Sequence, residues 1–291
     1  MPVRPWNRFA QTIILISSLA LAAFSQARGG QRGGAAPTAK SSAPVDLTGY
    51  WTAVITEDWH VRMTNAPKSD LGSGVGIKTP GMETLPNIPY RPNGEEAANA
   101  WDPAKDEADG NQCKAYGAGG IMRQPTRLHI TWQDDNTLKM ETDYGTQTRL
   151  FHFGPPPKPG VMQFQNGTYI PPEPVKFEPP PNEPSSWQGY SIAEWTAMGN
   201  GRGNFDRGGS LKVVTTHLKA GYYWKNGVPY SGNAVLTEYF RTMELPDNST
   251  WIRFTQIVED PEYLTQPFIV NYQFKKLSDG SKWSPTPCTV K

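Results

Sequence analysis

The densest run of reactive side chains in the 291-residue chain is Glu57-Asp58-Trp59-His60-Val61-Arg62. If the strand before it continues, the two-residue repeat turns Asp58, His60 and Arg62 to one face, setting an acid, a titratable imidazole and a fixed cation side by side. Such a set suits the lip of a ligand site; an exposed, charged strand end is the competing reading. A second set is Arg127 and His129, which alternate with Leu128, Ile130 and Trp132. With the polar face turned inward, Arg127 and His129 would meet Arg149 on the next strand but one, or Glu238 on a later strand. That arrangement binds a carboxylate or polarises a carbonyl. The expectation is binary, because the alternation sends Leu128, Ile130 and Trp132 outward if Arg127 and His129 face in, and the reverse otherwise. A third group, Glu259, Asp260 and Glu262, supplies carboxylates for glycoside chemistry, although Asp260-Pro261 also spells a polar turn.

Other chemistries find less support. His60, His129, His152 and His217 fall on different strands without paired metal-ligand spacing, so no metal site and no cofactor are expected. No nucleophile elbow of the G-x-S-x-G kind occurs. Gly199 to Gly209 contains a G-x-G run, but it does not link a strand to a helix as a dinucleotide fold requires. A formal charge of +1, with acids and bases interleaved, argues against a nucleic-acid partner.

The elements that must position these groups are strands. The chain carries 28 Pro and 28 Gly with 10 Trp, 12 Tyr and 11 Phe, the composition of a turn-rich, aromatic β protein. Strand patterns run over Trp51–Thr56, Arg127–Trp132, Leu138–Tyr144, Thr146–Phe153, Trp187–Trp195, Leu211–Leu218, Asn233–Arg241, Trp251–Val258 and Phe268–Lys276. These nine or so strands carry apolar area on both faces. The spacing therefore predicts a single antiparallel meander barrel with a partly polar interior, a two-sheet sandwich being the alternative. A short helix is expected over Gly94–Trp101, stopped by Asp102-Pro103. Residues 154–186 are too proline-rich for a central strand and are expected to form a long loop bordering the cavity.

Around this domain, placed at residues 46–291, lie two further segments. Arg4 and Arg8 precede an apolar run, Thr12–Phe24, and small residues at Ser25-Gln26-Ala27, the pattern of a cleaved export signal over residues 1–27. Its apolar run is shorter than the roughly 20 residues a membrane helix needs, and no integral membrane segment is expected after cleavage. Residues 28–45 are Gly-, Ala-, Ser- and Pro-rich and read as a flexible tether. Export places the protein in the periplasm or outside the cell. There Cys113 and Cys288, the two cysteines of the chain, are expected to form a disulfide.

Several short motifs then follow one order. Cys113, Gly117 and Arg123-Gln124-Pro125 precede Gln188 to Trp195, Leu211 to Thr216, Asn226 to Ser231, and Glu259 to Phe268. This series resembles a broad group of exported bacterial proteins, and the Gly49-Tyr50-Trp51 opening is similar to that of lipocalin-like barrels. The resemblance implies export and a mostly β, lipocalin-like architecture; it brings neither a catalytic residue nor a substrate. The group often has Gly-Arg-Trp where this chain has Ala193-Glu194-Trp195, so no role for Glu194 follows from it. The leading functional expectation is a small-molecule binding protein that takes a partly apolar ligand, carboxylated ones included, into the barrel mouth. An exported hydrolase or isomerase using His and carboxylate groups in the same cavity competes with it. An accessory protein docking on another exported enzyme through aromatic edges is the third reading.

Overall fold

The computed structural model describes residues 37–54, 88–155, 163–165, 168–170, 177–197 and 209–290. The Asp58, His60 and Arg62 set lies outside the described residues, as do the expected signal and residues 28–36 of the expected tether. In chain order the strands are β1 (Gly49–Val54), β2 (Arg127–Asp134), β3 (Thr137–Thr142), β4 (Gln147–Phe153), β5 (Gln163–Gln165) and β6 (Thr168–Ile170). They continue with β7 (Tyr190–Ala197), β8 (Gly209–Thr216), β9 (Gly221–Trp224), β10 (Val228–Tyr230), β11 (Val235–Glu244), β12 (Thr250–Glu259) and β13 (Phe268–Lys276).

Nine of these close into a barrel in the order β1-β13-β12-β11-β8-β7-β4-β3-β2, and β1 completes the ring by pairing with both β13 and β2. An odd number of strands cannot alternate in direction all the way round a closed ring. The all-antiparallel expectation is therefore corrected at one seam: β4 and β7 run parallel, in register from Phe151–Ser191 to Phe153–Ala193. The chain reaches that arrangement through the Pro-rich stretch after Phe153. Among the described residues of that stretch, two strands of three residues, β5 and β6, pair with each other.

The turns follow local chemistry. Between β2 and β3 the Asp134 carboxylate accepts from the Asn136 backbone N–H at 2.8 Å. Between β3 and β4, Gly145 and Thr146 both have positive φ, +80° and +48°, as a tight hairpin turn with right-handed strand twist requires. A Cβ at Gly145 would also lie 2.1 Å from the Tyr116 ring.

Alternation fills the barrel. Leu128 and Ile130, Leu138 and Met140, Phe151, Leu211 and Val213, Phe240, Ile252, Phe254 and Phe274 form one buried cluster with Trp51, whose indole donates to the Leu47 carbonyl at 2.9 Å. The expected direction of β2 is thus reversed: Leu128 and Ile130 are 0% and 1% exposed, Trp132 packs partly buried against the core, and Arg127 and His129 face outward. Burying a large aliphatic side chain stabilises by about 1.5–3 kcal/mol, whereas dehydrating an unpaired guanidinium opposes folding by several kcal/mol. The apolar set therefore takes the interior.

One barrel end is covered by two short helices, α1 (Pro92–Asn99) and α2 (Pro103–Ala108), by the turns at Lys114–Tyr116 and Ile121–Arg123, and by the β9–β10 hairpin. Asp102-Pro103 ends the first helix as expected and also begins a second, because the Asp102 carboxylate caps the free N–H groups of Ala104 and Lys105. Cys113 in this cover is bonded to Cys288, with 5.1 Å between their Cα atoms. The bridge ties down the C-terminal tail, which runs over the outer wall of β1 and β2. At the opposite end, residues 37–45 of the expected tether are fixed: Ala39 N–H donates to Asn136 Oδ1 at 2.9 Å, Lys40 N–H to the Asp135 carbonyl at 3.0 Å, and Val45 packs on the core. Among the described residues no helix is long and apolar enough to cross a membrane.

Candidate functional site

Of the four residues expected to converge on one pocket, two meet, and they meet each other. Arg149 projects inward from β4 beside Phe151, and Glu238 from β11 beside Phe240, because the same two-residue repeat governs both strands. Arg149 Nη1 donates to Glu238 Oε1 at 3.0 Å while Nη2 donates to Oε2 and, at 3.1 Å, to Thr215 Oγ1. Gln256 Nε2 donates to Glu238 Oε1 at 3.2 Å and to the Ala118 carbonyl at 3.1 Å. Thr215 and Ser191 join their hydroxyls at 2.7 Å. The guanidinium lies 5.1 Å from the Phe151 ring centre. With the acid supplied internally and both side chains sealed under the cover at Ala118, this network joins five strands, β4, β7, β8, β11 and β12, to the barrel lid.

Arg127 and His129 serve the outer wall. Arg127 Nη1 bonds Asp143 Oδ2 at 2.9 Å, and the same carboxylate accepts from the Ser284 N–H at 3.2 Å. His129 Nδ1 lies 3.2 Å from Glu141 Oε2, and its ring stacks on Tyr50 at 4.2 Å with Trp283 edge-on at 6.0 Å. Both groups therefore anchor the C-terminal tail. The acidic group after β12 is a turn: buried Asp260 accepts from the Ser231 N–H and hydroxyl, each at 2.7 Å, and from the Glu262 N–H at 3.0 Å. No three metal-ligating side chains come together among the described residues.

The open space lies elsewhere. A pocket of about 680 Å³ borders the parallel seam at the end covered by residues 37–45. It exists because β4 and β7 part after Phe153 and Ala193; beyond them the β7 edge that faced β4 has no strand partner among the described residues. Phe153, Ala193, Trp195 and Phe177 form its apolar wall, Ile192 and Val214 extend it over β7 and β8, and Pro37 and Ala39 cover one side. Its rings are already fixed in place. Trp195 Nε1 donates to the Ala39 carbonyl at 2.8 Å, and Trp195 and Trp132 lie 5.2 and 5.7 Å from Phe153, centre to centre.

Two charged residues line this pocket, Glu194 on β7 and Lys212 on β8. They are cross-strand neighbours, joined Nζ to Oε1 at 2.7 Å. The bond to Glu194 holds the Lys212 ammonium above its usual pKa, outweighing partial burial, which acts the other way. Sequence reasoning assigns no role to either. Each sits singly in a strand, and only the register of β7 on β8 brings them together. Comparison of the chain with protein-family models, with curated proteins and with solved structures finds no match.

Proposed function

We propose that this is an exported binding protein, and that it holds a small, largely apolar ligand in the pocket at the β4–β7 seam. The observation that carries the reading is the cavity itself. At about 680 Å³ it falls within the range of small-molecule sites, it is walled by three aromatic rings, and two of its charged groups stand at one position. The Trp195 ring is held by its hydrogen bond to Ala39 and by packing on Trp132 before any ligand arrives, which lowers the ordering penalty of binding. Export is supported by the leader pattern and by the paired Cys113 and Cys288, which fit an oxidising compartment.

A neutral, environment-sensitive dye, phenylnaphthylamine, tests the reading. The full chain is expected to bind it with a blue-shifted emission. Val214→Trp, which adds a ring at the pocket wall from the outer face of β8, is expected to abolish that binding while the circular dichroism stays that of the parent. A Val214→Trp protein that binds the dye as well as the parent overturns the assignment of the pocket.

A further inference from the structure

The two charged groups lining the pocket differ in how firmly they are held. Lys212 stands on β8 between β7 and β11, with its side chain 30% exposed, whereas the Glu194 side chain is 60% exposed. Water solvates a carboxylate that exposed nearly as well as the lysine does, so parting Glu194 from Lys212 gives up little. Lys212, the less exposed of the two and on the same face of β8 as Val214, is the fixed half of the pair; Glu194 is the exchangeable half.

We infer that the pocket selects an aromatic carboxylate, whose ring lies against Phe177, Ile192 and Val214 and whose anionic group replaces Glu194 as the partner of Lys212 on the outer face of β7 and β8. This rests on the pocket being a ligand site and names the ligand's class. A carboxylate brought in on an apolar ring is shielded from water by the ring's own burial, so its bond to the ammonium is stronger than that of the solvated Glu194. Glu194 then turns into solvent. A neutral aromatic compound leaves the Glu194–Lys212 bond in place and gains only from burial. The exchange moves no proton, since one carboxylate takes the place of another on the Lys212 ammonium. Glu194 thereby acts as a built-in competitor, which keeps weak carboxylates out and leaves the cation paired while the pocket is empty.

The experiment is calorimetric titration of the full chain with naphthoate and with naphthalenemethanol, which share a ring system and differ in charge. Naphthoate is expected to bind about tenfold more tightly, the difference a charge-assisted hydrogen bond makes. Lys212→Met is expected to remove that preference and leave the alcohol unaffected, and Lys212→Arg to keep it. Glu194→Gln is expected to tighten naphthoate several-fold without changing the alcohol, because the competitor is gone. Equal binding of the two compounds by the parent, or naphthoate affinity unchanged in Lys212→Met, overturns the carboxylate assignment while the apolar pocket stands. Binding of neither compound, together with no binding of the neutral dye, overturns both.

Discussion

Arg149 and Glu238 stand 89 residues apart in the chain and meet inside the barrel as a two-point ion pair, with side chains 1% and 0% exposed. Removing one partner leaves the other charged and dehydrated, so Arg149→Met and Glu238→Leu are each expected to destabilise by about 3–5 kcal/mol. Replacing both, as Arg149→Met with Glu238→Leu, restores a core without an orphan charge and is expected to recover most of that loss. Guanidinium unfolding midpoints measure the cycle. A double variant as unstable as the sum of the singles would sink the account. Dye binding at the seam pocket should persist in any variant that remains folded.

Every barrel strand was legible because each carries its own local signal. β13 spans Phe268–Lys276, as the pattern of apolar and β-branched residues indicates, and the β2–β3 turn sits at Asp135 and Asn136. What local pattern lacks is a direction for each face. On β2 the alternation was clear, but choosing Arg127 or Leu128 for the interior depended on which face met more apolar area from other strands, a quantity summed over the whole ring. Arg149 and Glu238 reversed the usual rule because each is the other's partner, and nothing in either strand announces a partner 89 residues away. The pocket was invisible for the same reason. It arises where β4 parts from β7, and that seam follows from the parity of the strand count rather than from any motif. The β9–β10 hairpin at Gly221–Trp224 and Val228–Tyr230 also escaped notice, since strands of three or four residues are too short to show a period.

The Cys113–Cys288 bridge spans 175 residues of sequence, so on the chain-entropy account it stabilises by at most about 5 kcal/mol. Cys113→Ser with Cys288→Ser is expected to lower the unfolding midpoint and to free the tail from Ser284 onward for proteolysis. Hydrogen bonds such as Ser284–Asp143, Thr286–Asp143, Thr146–Thr286, Lys225–Thr289 and Thr289–Tyr116 then hold it without a covalent tie. Thiol titration of the denatured parent without reductant should find no free thiol; two per chain would refute the bridge.

His152, on the outer side of β4, stacks on Tyr190 at 4.6 Å. Partial burial depresses its pKa, and Asp134 and Glu183 only partly offset that. The fold therefore favours the neutral ring, while the unfolded imidazole titrates near 6.5. The sign follows directly: the contribution is complete above about pH 6.5 and is lost as pH falls through the depressed native value. His152→Gln is expected to flatten stability against pH in that window and to leave the carboxylate limb below it unchanged. A parent and variant with parallel curves from pH 7 to 5 would contradict the assignment.

Residues 37–45 close the pocket from one side, held to the barrel by hydrogen bonds and by the packing of Ala39 and Val45 on the core. Ala39 alone receives the Trp195 indole N–H at its carbonyl and gives its own N–H to Asn136. Deleting residues 1–42 removes Pro37, Ala39 and Ser42 from the pocket lining yet keeps Leu47 and Trp51 in the core. The barrel should fold, with Trp195 emission shifted to the red and dye affinity lowered about tenfold, since an apolar ligand loses one wall and its tryptophan loses its orienting acceptor. Asn136→Ala releases the same segment more gently and is expected to weaken the dye by a smaller factor in the same direction. Emission and affinity unchanged by the deletion would mean that the segment merely rests on the barrel, and that the pocket is bounded by the strands of the seam alone.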